Sequence, residues 1–503
     1  MKLLKILAFL GLALLLCACA TTEAPPGDEG GEAHTHTYGG WIEDVPAGCT
    51  TPGVEASYCT CGDKLTRPIE PGHRYALSAL DISQTPEKPY GGTFTCAGCG
   101  DFFESTVTHE DLGMPIVTIT GSLEEISKEN KVTVAFDYQN GKESFSCTAT
   151  LKVQGATSAE YPKKNYSVQF FEKDGSKKKV ELVDGWGEES KYCMKANWTD
   201  LSAARNVVSA KLYGDVARSL NVQDEFSDLV NGGAIDGFPI AVYHDGAFLG
   251  LYTMNIPKDK WMMGMEQDES LRQAIIMGDQ WHESVSLRRF MSYDFVSTSW
   301  DLEYCSTEDD PVIGTNWAVD SFNRMMWFVM ANDGETFRRG IGDYINVDRA
   351  IDALIYTWMI CGLDNTSKNI LWATYDGTVW TPCVYDLDST WGLWWDASKL
   401  NPAGVVKNWN NTSINMLFYR LRFNYQDEIL ARYIELRKGP MSNANVEKKF
   451  IEFFESIPDA LYAAEAARWP ENPGLWIDHE TQILTFTRAH LDALDEAFYY
   501  GSW

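Results

Sequence analysis

Apolar and polar residues alternate in several runs between residues 114 and 171. MPIVTITG, KVTVAFDYQN, ATLKVQG and KNYSVQFF each read as a β-strand with one face toward a core. In the last run Lys164, Tyr166, Val168 and Phe170 share the apolar face, and Lys163, Asn165, Ser167 and Gln169 share the polar one. Helical periodicity begins near Asp200, returns from about Asn316 to Phe337 and from Ala350 to Cys361, and dominates after Asn415. VEKKFIEFFESIPDAL sets Phe450, Phe453, Phe454, Ile457 and Leu461 on one helical face, a core stripe. The mixture predicts an α+β body over residues 114–503.

Two apolar runs, ILWATY and TVWTPCVY, flank Asp376-Gly377, the short-range signal for a two-residue hairpin turn. Pairing Tyr375 with Thr378 sets Asn369 opposite Val384 and Asp386 beside Ser367. Pro382 removes a ladder donor and so predicts an edge or bulged strand. The hairpin gathers Asp364, Asn369, Asp386 and Asp388 at its open end.

The front of the chain has a different character. MKLLKILAFLGLALLLCAC carries Lys2 and Lys5, an apolar run from Ile6 to Leu16 too short to span a bilayer, and then Cys17 and Cys19. Residues 1–19 have the form of a secretory signal whose end resembles a bacterial lipobox, with Cys19 as the residue to be lipidated. The polar stretch 20–33 reads as a flexible tether. The expectation is a membrane-anchored, extracytoplasmic lipoprotein at a bacterial cell surface, touching the membrane only through its N-terminal lipid.

Residues 34–110 hold His34, His36, Cys49, Cys59, Cys61, His73, Cys96, Cys99 and His109 in a pattern that nearly repeats. Two small zinc-ribbon-like modules are the natural reading. His36, Cys49, Cys59 and Cys61 make one structural Zn²⁺ site, and His73, Cys96, Cys99 and His109 a second. Disulfides are the alternative outside the cell. The later cysteines, at 147, 193, 305, 361 and 383, read as buried thiols.

Composition narrows the partners. Lys plus Arg number 42 against 71 Asp plus Glu, a net charge of −29 that repels phosphate backbones, so nucleic acid is excluded. Apolar residues make up 45% of the 503, enough for a large core.

Phosphoryl transfer to a hydroxyl needs a carboxylate to accept the hydroxyl's proton, and hard oxygen donors for Mg²⁺ or Mn²⁺. Asp364, Asn369 and Asp386 supply these types at the hairpin's end, with Asp388 as a further ligand. Lys164, on the apolar face of its strand, needs an anionic partner, which ATP phosphates provide. Gly155-Ala156-Thr157-Ser158 precedes that strand and offers backbone N–H groups to phosphate.

These motifs come in a familiar order. LKVQGATSAEYPKKNYSVQF, ANWTDLSAARNVVSAKL, AFLGLYTM, LDNTSKNILW, VYDLDSTWG and RYIELRKGPMS resemble the spore coat protein H (CotH) family of atypical protein kinases over about residues 114–500. The resemblance implies an abbreviated, two-lobed kinase-like fold with a helical C-terminal part, and transfer of the ATP γ-phosphate to serine or threonine hydroxyls of a protein substrate. By position it makes Lys164 the phosphate-contacting lysine, Asp364 the base, and Asn369 and Asp386 metal ligands. Asn197, Asp200, Arg205 and Asn206 match a motif that opens a helix, where Arg205 contacts phosphate or the set braces the helix. Two departures stand out. Tyr385 replaces a common tryptophan, and Asn255-Ile256 stands where an acidic residue is frequent. The second departure keeps a weakened, scaffold- or adhesin-like module as the alternative, beside a metal-dependent hydrolase.

Overall fold

The computed structural model describes residues 35–82, 91–265, 268, 270–278, 283–288, 300–307, 317–401 and 415–503. The signal segment with Cys19, the tether 20–33 and His34 lie outside the described residues. Among the described residues no helix is long and apolar enough to cross a membrane. The chain divides into two units, Met1–Arg74 and Tyr75–Trp503.

In the first unit β1 (Ile42–Val45), β2 (Gly53–Tyr58) and β3 (Lys64–Ile69) form an antiparallel sheet. Cys49 lies in the β1–β2 connection, and Cys59 and Cys61 lie in the β2–β3 turn. A six-residue strand separates the two by about 20 Å. His36, Cys59 and Cys61 accordingly bring their ligand atoms within 4.8 Å of one another, while Cys49 lies with His73. Cys49 therefore leaves the quartet expected of it.

The second unit opens with another antiparallel sheet, β4 (Tyr75–Leu80), β5 (Gly91–Cys96) and β6 (Phe102–Thr106). Its Phe94 and Val107 belong to the same core as the helices that follow, so the expected 34–110 block is divided after Arg74. Cys96 and Cys99 lie within 4.8 Å of each other. His109, expected as their partner, opens a short helix capped by Thr108, and its Nε2 accepts from the Gly141 amide (2.9 Å).

The alternating runs form a closed barrel. β7 (Ile116–Thr120), β8 (Val132–Gln139), β9 (Phe145–Gln154), β10 (Asn165–Phe171), β11 (Lys191–Lys195), β12 (Gly237–His244) and β13 (Ala247–Asn255) close in the order β10-β11-β13-β12-β7-β8-β9. Period-two alternation sends Leu151, Val153, Tyr166, Val168, Phe170, Tyr192 and Met194 into one buried cluster. The opposite residues of β9, β10 and β11 face outward, and register sets Asn165 across from Gln154, and Ser167 across from Lys152 and Cys193.

A second sheet runs β15-β14-β16-β17, from β14 (Ala274–Gly278), β15 (Trp300–Cys305), β16 (Ile370–Thr374) and β17 (Thr381–Val384). Pro382 sits on β17 at the sheet's edge, where its missing N–H costs no ladder bond. Helices Arg205–Ser219, Trp317–Ala331, Gly334–Gly340 and Val347–Met359, then the array after Asn415, complete an α+β body. The phenylalanine stripe is buried as expected, but Pro458 divides it between the helices Asn443–Glu455 and Asp459–Arg468.

Candidate active site

A cleft of about 850 Å³ opens between the outer face of β9–β11 and the end of the second sheet. Its acidic floor is built by two chain reversals. The helix Val347–Met359 ends as Cys361 takes a left-handed φ of 56°, and the Gly362 amide bonds back to Thr357 (3.0 Å). The chain then makes a short 3₁₀ turn at Asp364–Thr366, which sets Asp364 at the cleft. Asn365 staples this loop to the neighbouring strand, its amide donating to the Asn369 carbonyl (3.1 Å) and the Tyr385 carbonyl (2.7 Å).

Asn369 and Asp386 leave the hairpin together, with left-handed φ values of 60° and 53°, a conformation Asn and Asp tolerate best among residues with a Cβ. The register differs by one residue from that of a two-residue turn. Ile370 pairs with Val384, and the Tyr385 amide donates to the Asn369 carbonyl (3.1 Å). The cause is Asp376, whose Oδ1 accepts from the amides of Thr378 (2.7 Å) and Val379 (2.8 Å) and widens the loop. Beyond Asp386, Leu387 turns into the core while Asp388 returns to the cleft. Asn206 accepts from the Leu387 amide (3.0 Å) and fixes that alternation.

The predicted acidic set is thus brought together: Asp364, Asn369, Asp386 and Asp388 all line the cleft. The carboxylates are spread along it, since among the described residues they supply no three oxygens within 4.8 Å of one another. Mg²⁺ is ordinarily held by one or two carboxylates plus substrate phosphates, and the donor set fits that habit. Burial raises the Asp364 carboxyl above its usual range; Lys368 opposes the shift and Asp386 adds to it. Burial and then Asp386 push Asp388 up to about 7, against the pull of Lys195.

The lysine that faces the acidic set is not Lys164. Lys164 does not line the cleft, and its ammonium donates to the Ala159 carbonyl (2.8 Å), closing the 3₁₀ turn Thr157–Glu160. β10 starts only at Asn165, so Lys164 belongs to the turn and not to the strand's inner face. Lys195 of β11 faces the aspartates instead. Burial works against its charge, but the acidic groups around it, Tyr385 and Asp386 first, more than offset that and raise the amine's pKa above its ordinary value. Lys163, expected on the polar face, is 2% exposed, and its ammonium bonds Glu465 (2.6 Å) and the Leu251 carbonyl (2.5 Å).

Arg205 is a brace. It is fully buried, pairs with Asp200 (2.5 Å), donates to the Thr390 carbonyl (3.0 Å), meets His479 Nδ1 (3.0 Å), and lies outside the cleft lining. From behind, it holds the loop that carries Asp388. Asn197 lines the cleft and donates to Thr253 Oγ1 (3.2 Å), which in turn donates to Asn255 Oδ1 (2.7 Å). Asn255 is itself fully buried and forms no part of the cleft wall.

The rest of the wall divides by chemistry. Gly155 to Ser158 border the cleft, and Gly155, at φ 111°, has no room for a Cβ, which would lie 2.0 Å from Ser158 Oγ. Ile235, Pro257, Met277 and the Tyr385 ring form an apolar end, beside the ion pair of Lys258 and Glu303. In a chain of −29 the cleft wall carries, among the described residues, seven lysines, at 128, 152, 163, 191, 195, 258 and 368, of which Lys163, Lys191 and Lys258 already pair with Glu465, Asp259 and Glu303. Sequence reasoning missed Lys195, Lys368 and Asn365. The signal for Lys195 was present in KYCMK, where Tyr192 and Met194 alternate with Lys191, Cys193 and Lys195.

An acid-floored, lysine-walled cleft between a barrel and a sheet is the setting in which the comparisons fall. The family model described as CotH kinase protein matches residues 151–494, and the chain belongs to that family. No curated protein matches the chain.

Proposed function

We propose that this chain is an atypical protein kinase with an abbreviated two-lobed kinase-like fold, transferring the γ-phosphate of ATP to serine or threonine hydroxyls of a protein. The observation that carries the reading is the pairing of Asp364, Asn369, Asp386 and Asp388 with a lysine-rich wall, in which Lys195 and Lys368 face the aspartates, in an otherwise acidic chain. Hard oxygen donors opposite concentrated positive charge suit a metal–polyphosphate, and the apolar end with Tyr385 suits its base.

Each residue then has a task. Asp364, its basicity raised by burial, accepts the acceptor hydroxyl's proton, and Lys368 beside it steadies the resulting charge balance. Lys195 binds the phosphates as a fixed cation in a partly dry site. Asn369, Asp386 and Asp388 hold Mg²⁺ or Mn²⁺, whose chemistry is to neutralise charge on the phosphate oxygens. Amides of the Gly155–Ser158 turn cradle phosphate from above. Asn255 is taken up by Thr253 outside the wall, so this reading asks nothing of an acid at that position. The N-terminal apolar run and Cys19 support export and lipid anchoring at the cell surface.

The test is incubation of the protein with γ-labelled ATP, Mg²⁺ and candidate acceptor proteins. Label should enter protein, and Asp386→Ala should cut the rate about 10²-fold or more. Release of free phosphate without labelled protein would identify a hydrolase. Absence of both labelling and nucleotide-induced thermal stabilisation would identify a scaffold.

A further inference from the structure

A second chemistry sits in the first unit and is independent of the cleft. We infer that His36, Cys59 and Cys61 form a three-residue binding site for a thiophilic divalent cation, zinc by preference, with the fourth position filled from outside the group. Their ligand atoms lie within 4.8 Å of one another, and His36 Nδ1 is 3.2 Å from Cys61 Sγ. Two ligands of one tetrahedral zinc, at about 2.3 Å for sulfur and about 2.0 Å for nitrogen, stand about 3.5 Å apart. The pair is within a few tenths of an ångström of that spacing.

The surroundings make the convergence a built feature. Cys59 and Cys61 share a tight turn in which the Cys59 amide bonds the Asp63 carbonyl (2.8 Å) and the Gly62 amide bonds the Cys59 carbonyl (2.9 Å). Gly62 takes φ 93°, which lets the chain double back so that both thiols face the same way. The Tyr38 hydroxyl donates to Asp63 (2.5 Å), and Asp63 lies 3.5 Å from His36 Nδ1. This clasp ties the His36 segment to the cysteine turn. His36 and Cys61 are exposed, so no apolar core holds them there. Asp63 faces Nδ1, the same ring nitrogen that faces Cys61, and so places a negative charge beside the cluster. The same clasp recurs in the second unit, where the Tyr75 hydroxyl donates to Asp101 (2.7 Å), two residues after Cys99. Cys49 is not part of the trio, which differs from the quartet that spacing alone suggests.

Zinc added to the full-length, reduced, metal-stripped protein should protect Cys59 and Cys61 from alkylation, mapped by mass spectrometry, and EDTA should restore their reactivity. Cys61→Ser, at an exposed position, should remove one equivalent of bound Co²⁺ together with its thiolate charge-transfer band. The thermal transition should stay unchanged, which separates loss of the site from loss of the fold. Asp63→Asn removes a negative charge beside the cation and should weaken zinc binding while both thiols remain. Equal alkylation of Cys59 and Cys61 with and without zinc would overturn the site. So would a Cys59–Cys61 disulfide in protein isolated without reductant.

Discussion

Asp388→Asn removes a carboxyl that burial and Asp386 push up to about 7, from a usual value of 3.8. Below about pH 4 the group is protonated in the folded and the unfolded chain alike and contributes nothing to the balance. As pH rises toward 7 the folded chain keeps a proton that the unfolded chain has released, so stability falls by about 1.4 kcal/mol per pH unit. Over the roughly three units this amounts to about 4 kcal/mol, and sharing of charge with Asp386 reduces it to about 2–4 kcal/mol. Above pH 7 the loss is complete. Asparagine never ionises and escapes this cost. Denaturant unfolding of metal-free protein should therefore find Asp388→Asn more stable than the parent, with the gap widening by about 1–3 kcal/mol between pH 5 and pH 8. Mg²⁺ with ATP should stabilise the parent at pH 8 and the variant far less, because the proposed function makes this destabilising carboxyl a metal ligand. A gap that does not change with pH would refute the placement of Asp388 beside Asp386.

Three further outcomes follow from neighbouring residues. Arg205→Ala strands the buried Asp200 carboxylate and should cost about 3–5 kcal/mol in unfolding experiments, while nucleotide affinity of the folded fraction changes little. Gly155→Ala forces a Cβ onto Ser158 Oγ at φ 111° and should cost more than about 1 kcal/mol, with about tenfold weaker ATP binding by calorimetry. Glu465→Gln leaves the Lys163 ammonium buried without its counter-ion; burial already lowers that amine's pKa, so the destabilisation should be greater at pH 7 than at pH 10.

Much of the body was legible because period-two alternation survives in β7 to β10 and an edge proline marks β17. The acidic floor was legible because Asp364, Asn369, Asp386 and Asp388 sit on one hairpin and its flanks, so local register nearly fixes their meeting. The lysine was not legible for a definite reason. A closed barrel hides its apolar face and turns its outer face to the cleft, so the lysine that meets the aspartates lies among the polar positions of β11, opposite the apolar face that Lys164 shares in the sequence pattern. Strand onset mattered too, since one residue separates Lys164 in the turn from Asn165 in the ladder. The sequence left Arg205 between phosphate contact and a brace, and tertiary packing decides for the brace through Thr390, His479 and Gln482. The Cys/His grouping failed at Cys49 because spacing along the chain ignores the strand that separates it from Cys59.

The most direct measurement compares two lysines in one labelling assay: radiolabel passed from ATP to an acceptor protein by Lys195→Met and by Lys164→Met. The cleft described here predicts a loss of about 10²-fold or more for Lys195→Met and near-parent activity for Lys164→Met. Retained transfer by Lys195→Met, with transfer abolished by Lys164→Met, would contradict it.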